Sequence, residues 1–491
     1  MKRSPAVRRW RTPPLAAAAM LAAGSLACGG PKAAQRTEAP AAPPPAAPAA
    51  QAAPPRQEAP AQPAFQVPVE YHTLDNGLKV VLSRDATAPK VAVAVYYNIG
   101  FRIEPRDRTG FAHLFEHMMF QGSKNLGKNA FIGLVQANGG ILNGSTRFDF
   151  TNYFEIVPSH TLETMLWAEA DRMRGLAVTQ DNLVNQQNVV KNEVRVNVLN
   201  QPYGGFPWLD MPQHANTNWY NAHNFYGDLK DLDAATLEDV QSFFKTYYAP
   251  NNAALVLVGD FEPAQALAWV QKYFGNLPRA QLPAQPDITE PRQEEERRAE
   301  KVDALAQRPA LAVAYHVPQR NTPEFYAMVL LHELLLDGKD SALYQNLVQQ
   351  KQLTGDVSGG INLLGNPFDY NGPMLWTVAL FHDPDKTPEQ LVQAMDESIE
   401  RVRTQPVDAA SLERARVKVR SDLYGQLEQT FGFGTADLLA SFALFDNDPG
   451  RINRLEGELL KVTPELIQKT AQEYLRPTNR TVLVVKTKPK S

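Results

Sequence analysis

Three residues of this chain can share one helix face and one chemistry. In His113-Leu114-Phe115-Glu116-His117, positions i, i+3 and i+4 of an α-helix fall within about 100° of arc, so both imidazoles and the carboxylate point the same way. Two imidazoles one turn apart can bind one Zn²⁺ through ring nitrogens, and the carboxylate between them is placed to take a proton from water beside the metal. The order, HxxEH, inverts the commoner HExxH arrangement. A His pair on a helix can also be a surface feature or a satisfied core pair, but the neighbours argue otherwise. Phe111, Ala112, Leu114, Phe115, Met118, Met119 and Phe120 make the segment apolar nearly all round, as in a buried helix. Ionisable groups inside it are costly unless paired or bound to metal. Gly110 and Gly122 bracket a helix of about three turns.

Two His leave a tetrahedral zinc short of one protein ligand, with the last position open to water. Glu155, His160, Glu163, Glu169, Asp171 and Glu193 are the downstream candidates. Residue pattern alone decides for none of them, and most read as solvated helix-face charges. Glu193 is somewhat better placed, since Val189, Val190, Val194 and Val198 set its helix against a core.

The elements that must position these groups follow from turn signals and periodicity. Folded sequence begins near Val67. Leu74 to Leu82 reads as a strand pair around the Asn76-Gly77 turn, and Val91 to Tyr97 as another strand. Asn138-Gly139-Gly140 leads into a polar strand over Leu142–Phe150, with Tyr153–Val157 as its neighbour, and helical patterns follow at about 160–175 and 181–199. With 491 residues, 44% apolar and 21% charged, the chain can bury two or more sizeable cores. A net charge of −4 gives no reason to expect nucleic acid as a partner.

An internal repeat supports two cores. Thr246-Tyr247-Tyr248-Ala249-Pro250-Asn251-Asn252, then Leu255–Val258, lines up at a constant offset of 227 with Glu473-Tyr474-Leu475-Arg476-Pro477-Thr478-Asn479, then Val482–Val485. Glu238 and Val240 match Glu465 and Ile467, and Ala310–Tyr315 echoes the strand at Val91. The expected fold class is therefore α+β, with two similar tandem domains joined by the charged stretch Glu290–Lys301. The repeat fails at the chemistry: Val329, His332 and Glu333 stand where His113, Glu116 and His117 stand in the first half. One His with scrambled neighbours is no zinc motif, so only the first half is expected to be catalytic.

The N-terminus reads as a targeting segment. Lys2, Arg3, Arg8, Arg9 and Arg11 precede an apolar run from Leu15 to Ala27. Ser25-Leu26-Ala27-Cys28 resembles the lipobox of bacterial lipoproteins, although Ser25 stands where Leu is usual. Cys28 is the single cysteine, so no internal disulfide can form. Residues 1–28 are thus expected to be a lipoprotein-type signal peptide and 29–66, rich in Ala and Pro, a disordered tether. The expected location is exported and periplasmic, with the membrane touched only through a lipid anchor at Cys28. No later stretch reaches the roughly eighteen apolar residues of a span.

Taken together, the motifs resemble the pitrilysin/insulinase family of zinc metallopeptidases, which includes the mitochondrial processing peptidase subunits. The matching parts are HLFEH at 113–117, the Glu of Val189-Val190-Lys191-Asn192-Glu193 after 75 intervening residues, Gly139–Thr146 beside the metal, and Gly259-Asp260. The resemblance covers roughly residues 67 to 488. It implies a catalytic domain over 67–290 and a homologous non-catalytic domain over 300–491, each a mainly antiparallel sheet packed with helices. It implies that His113, His117 and Glu193 bind Zn²⁺ and that Glu116 is the general base of a metalloendopeptidase acting on oligopeptides or unfolded segments. Gln186 stands where the family usually has a Glu that orients the ligands, and Asn143 lies on the strand expected to pair with substrate, followed by Gly144 where Ala is common. Family members enclose substrate between two two-domain halves, the facing half supplying an Arg and, seven residues on, a Tyr. Here Val348 and Gly355 hold those places. A dimer is implied, and a heterodimer with a paralogue lacking the zinc motif would restore the pair. The alternatives are a non-catalytic binding or assembly subunit on the same fold and, without positive support, a hydrolase of non-peptide substrates.

Overall fold

The computed structural model describes residues 66–429 and 433–488. The expected signal peptide, Cys28 and the tether up to residue 65 lie outside the described residues.

The first sheet contains β1 (Glu70–Thr73), β2 (Lys79–Arg84), β3 (Lys90–Tyr97), β4 (Ile141–Thr146), β5 (Thr151–Pro158) and β6 (Ala253–Gly259), in the order β1-β2-β6-β3-β5-β4. Every pairing is antiparallel except β2 with β6. The Asn76-Gly77 signal is a turn that pairs Thr73 with Lys79. Gly77 takes a left-handed φ of 90°, and the Asn76 amide donates to the Phe274 and Leu277 carbonyls. The strand expected over Leu142–Phe150 stops at Thr146. There the Arg147 N–H donates to the Phe150 carbonyl at 2.8 Å and closes a tight turn into β5. β4 is left at the sheet edge.

The second sheet contains β7 (Arg297–Asp303), β8 (Ala310–His316), β9 (Ser358–Ile361), β10 (Leu375–Phe381) and β11 (Arg480–Thr487), in the order β7-β11-β8-β10-β9. Without β1, the first sheet has the same order, and β7 with β11 is again the one parallel pair. The repeated Pro-Asn turns do the same work in both halves. Asn252 donates to the Tyr247 carbonyl at 2.9 Å, and Asn479 to the Tyr474 carbonyl at 2.6 Å, each tying a helix end to the strand that follows. The charged stretch at 290–301 runs directly into β7, whose side chains alternate between exposed and half-buried. Charges on such an edge discourage pairing with other chains.

The helices that bear on the site are α1 (Phe111–Met118), α2 (Leu162–Arg174), α3 (Gln180–Val194) and α4 (Leu237–Tyr247) in the first half. The second half contributes α5 (Pro323–Leu335), α6 (Pro388–Thr404), α7 (Ala409–Glu428), α8 (Phe433–Asp446) and α9 (Pro464–Tyr474). β3 is buried on both faces, which is why its apolar run does not alternate with polar residues. Val91, Val93, Val95 and Tyr97 pack with Phe111, Leu114 and Phe115 of α1. Ala92, Ala94 and Tyr96 face the other way, into a core shared with Leu438 and Phe442 of α8. A helix from the second half thus covers the back of the first sheet. The halves are also clasped by Arg102, which pairs with Asp149 at 2.7 Å and donates to the Pro373 carbonyl at 3.0 Å. Asp149 in turn accepts from the Asn371 N–H at 2.8 Å.

Candidate metal centre

α1 starts from a buried carboxylate. Gly110, left-handed at φ 82°, and Ala112 both donate their backbone N–H to Glu104, which has no exposed surface. A negative group at a helix N-terminus satisfies the free donors of the first turn and complements the helix dipole. Burial pushes the Glu104 carboxyl up, opposed by His223 beside it and by those two N–H groups.

α3 is capped by the Thr179 hydroxyl, which accepts from the Asn182 N–H, and packs against α1. Its penultimate residue is Glu193, whose two oxygens meet the two imidazoles. Oε1 lies 3.6 Å from His113 Nε2, and Oε2 lies 3.2 Å from His117 Nε2. Ligand atoms 2.0–2.1 Å from a tetrahedral zinc are separated by about 3.3–3.4 Å, so each contact is close to the spacing of two zinc ligands, His113 meeting one carboxylate oxygen and His117 the other. The donor set of two imidazoles and one carboxylate also suits zinc. His113 is 4% exposed at its side chain, against 22% for His117 and 28% for Glu193, so the cluster is walled on one side and open on the other.

The electrostatics are those of a mutually dependent set. Burial holds the His113 imidazole below its ordinary value, against the pull of the Glu116 and Glu193 carboxylates. Burial works the same way on His117, but Glu193 and Glu116 outweigh it and leave that imidazole raised. Glu193, pushed up by burial, is brought below the usual carboxylate range by its bond to His117 and by His113. Gln186 is buried on the same helix, hydrogen-bonds His117 and donates its amide to Asn185 Oδ1 at 2.7 Å. His113 Nδ1 is buried without a hydrogen-bond partner among the described residues, and its ring packs beside those of Phe225 and Tyr226.

Two contacts at this site are absent from the sequence reading. The Thr146 hydroxyl, at the end of β4, donates to Glu116 Oε2 at 2.7 Å. The Tyr226 hydroxyl donates to Glu193 Oε1 at 3.4 Å. Neither residue has a periodic or spacing signal linking it to HxxEH; Thr146 was within reach only as the last residue of the Gly139–Thr146 segment. Asn143 is exposed on edge strand β4, its Oδ1 accepting from the Gly144 N–H. A side chain at Gly144 would stand 3.1 Å from the Tyr153 ring, which favours glycine there.

The other ligand candidates lie elsewhere, and three of them correct the expectation of solvated charges. Glu155, Glu169 and Asp171 are fully buried. Glu169 pairs with Arg172, whose guanidinium sits 4.0 Å from the centre of the Phe131 ring, while both oxygens of Glu155 have no hydrogen-bond partner among the described residues. Asp171 accepts from the Ser123 hydroxyl and the Asn125 N–H. Periodicity marks these positions as helix or strand but cannot show that a second apolar layer covers them. His160 is exposed, and Glu163 pairs with Lys272 on the surface.

In the second half, His332 accepts from the Trp376 indole N–H at 3.2 Å, and burial lowers its pKa to about 4, so it is a neutral structural acceptor. Val348 packs against the second-half core, and Gly355 faces open space.

Comparison with known proteins agrees with this architecture. Residues 79–203 match the family described as Insulinase (Peptidase family M16), and residues 234–418 match Peptidase M16 inactive domain. The zinc protease PqqE of Helicobacter pylori is 28% identical over 428 residues, which cover 85% of this chain and 92% of that protein. The probable mitochondrial-processing peptidase subunit beta of Arabidopsis thaliana is 24% identical over 208 residues, 42% of this chain and 38% of that one. The crystal structure of a protease from Helicobacter pylori matches with a TM-score of 0.78 at 26% identity, covering 86% of this chain and all of that one (100%). The chain belongs to the pitrilysin/insulinase family, peptidase family M16.

The buried Glu155 yields a stability prediction. Burial and the neighbouring Glu169 carboxylate raise its pKa well above the ordinary value, so the folded state favours the protonated form. Its contribution to stability is full below the unfolded pKa and is lost as pH rises toward the folded one. Glu155→Gln mimics the protonated form. The variant should be more stable than wild type at pH 8, with the gap closing toward pH 4. Urea denaturation across that range checks this; a gap independent of pH would contradict it.

Proposed function

We propose that this chain is a zinc-dependent endopeptidase in which His113, His117 and Glu193 hold Zn²⁺ and Glu116 is the general base. The observation that carries the reading is the convergence of both His Nε2 atoms on the Glu193 carboxylate at 3.2 and 3.6 Å, with Glu116 on the same helix face. Relatives named as zinc proteases support the choice of metal. When bound, zinc supplies Lewis acidity to the peptide carbonyl and acidifies water near neutral pH. Glu116, steadied at Oε2 by Thr146, has Oε1 to take the proton of the attacking water and to return it to the leaving amine. Gln186 orients His117 without adding a negative charge. The exposed edge β4, carrying Asn143, offers backbone groups to an extended peptide, which selects conformation more than side-chain sequence. In this reading residues 67–290 form the catalytic domain and 300–491 its non-catalytic counterpart.

Glu116→Gln should abolish turnover of a quenched peptide while keeping zinc, because the residue is a base and not a ligand. His113→Ala and Glu193→Ala should lose zinc instead. Activity retained in Glu116→Gln sinks the mechanism, and full zinc content in Glu193→Ala sinks the ligand set.

We further infer that a partner subunit completes the site. Val348 and Gly355 cannot donate a side-chain hydrogen bond to a developing oxyanion, and losing one such donor costs roughly 10²–10³ in rate. A homodimer lacks the pair in both halves, whereas a paralogue without the zinc motif can supply it. The purified chain alone should turn over peptide at least about a hundredfold more slowly than with that paralogue; equal rates would remove the need for a partner.

The location follows from the N-terminal residues: export, with a lipid anchor at Cys28 on the periplasmic side. No helix among the described residues is long and apolar enough to cross a membrane. Cys28→Ser should move the protein from the membrane to the soluble fraction. Mass spectrometry finding a mature N-terminus beyond Cys28, without lipid, would refute the anchor.

A further inference from the structure

The internal repeat extends to positions that carry no catalytic motif. Glu193 is the fourteenth residue of α3, and Asp422 is the fourteenth residue of α7. Glu333 of α5 stands where His117 stands in α1 when residues 329–338 are laid on 113–122. α5 packs on α7 as α1 packs on α3. The second half therefore brings two carboxylates together where the first brings together an imidazole and a carboxylate.

They do meet. Glu333, Asp337 and Asp422 each offer a carboxylate oxygen, and the three atoms lie within 4.8 Å of one another. Glu333 is only 6% exposed, and its Oε2 is buried with no hydrogen-bond partner among the described residues. Asp337 and Asp422 are open to solvent. The nearby cation, Lys418, is engaged elsewhere: its ammonium donates to the Asp337 carbonyl at 2.7 Å and to Asp340 Oδ1 at 2.9 Å. Burial, with Asp337 and Asp422 beside it, pushes the Glu333 carboxyl up to about 8.

We propose that Glu333, Asp337 and Asp422 form a calcium site, built on the same helix pair that carries the HxxEH centre in the first half. Oxygens bound to one Ca²⁺ at 2.3–2.6 Å are at most about 5 Å apart, which the cluster satisfies. An all-carboxylate set favours a hard cation over zinc, which takes imidazole and thiolate readily. Mg²⁺ demands near-octahedral geometry, whereas Ca²⁺ accepts an irregular site with several waters, as two solvent-open aspartates leave it. The competing arrangement is a protonated Glu333 hydrogen-bonded to Asp337, which needs no ion.

Calcium chloride titrated calorimetrically into the full chain separates the two. Wild type should bind Ca²⁺ with a Kd of about 10⁻⁴–10⁻³ M, the range of exposed extracellular sites. Glu333→Gln and Asp422→Ala should each weaken binding at least about tenfold by removing one charged ligand, with zinc content unchanged. Asp422 is exposed, so its variant reports on the site even where Glu333→Gln perturbs folding. No calcium binding by wild type up to about 10 mM, undiminished binding in Asp422→Ala, or tighter binding of Mg²⁺ than of Ca²⁺ would overturn the assignment.

Discussion

Keeping ionisable side chains inside an apolar helix is the constraint around which the first half is arranged. The effective penalty for burying an ion is several kcal/mol even after relaxation, and α1 carries three ionisable groups in five residues, His113 buried and Glu116 and His117 half-buried. Each is met by a partner from a different part of the chain. Glu193 answers both imidazoles, Thr146 answers Glu116, and Glu104 answers the free N–H groups of the first turn. Glu193 and Thr146 are distant in sequence, whereas Glu104 lies six residues before Gly110. The six-stranded sheet and the α3 packing are what deliver them to one place, so the site is a product of the whole half and not of the motif alone.

The same arrangement ties the proposed base to a sheet edge. β4 occupies the edge of its sheet, and its last residue, Thr146, holds Glu116. In the mechanism proposed above, a peptide pairing with β4 would lie beside Glu116, the residue that the same strand holds through Thr146. Exposed edges invite unwanted pairing. Here the strand is short, six residues, and carries Asn143, Gly144 and Ser145, which make it a poor template for stable sheet extension.

Much of this was legible in the residues. The HxxEH helix, the Asn-Gly hairpin and the repeat with its Pro-Asn turns depend on short-range spacing, and the structure reproduces them. The choice of Glu193 among six acidic or His candidates did not follow from pattern; it needed the family resemblance, because which residue meets the imidazoles across 75 intervening residues is fixed by how α3 packs on α1. Glu155, Glu169 and Asp171 were misread as solvated for a related reason. Helical and strand periodicity reports which face is apolar next to it, but not whether another layer closes over a polar position. Thr146, Tyr226 and Glu104 were missed because a single hydrogen bond to a distant carboxylate or helix end leaves no trace in composition or period.

The second half lacks the HxxEH pattern but has the same sheet order. Its α8 supplies Leu438 and Phe442 to the core behind Ala92, Ala94 and Val256, Phe433 stacks on Phe154 at 3.7 Å, and Asp437 accepts from the buried Tyr96 hydroxyl at 2.6 Å. Without that helix the back of β3 and β6 would face water, and the first sheet could not hold α1 against its front. The packing of the second half therefore supports the first half's site, while its own helix pair carries different side chains at the matching positions. His332 is a neutral acceptor for Trp376, and Glu333 is a buried carboxyl. One copy of a repeated scaffold can thus keep the topology that covers its neighbour while its side chains do something else, because fold and site chemistry are separable.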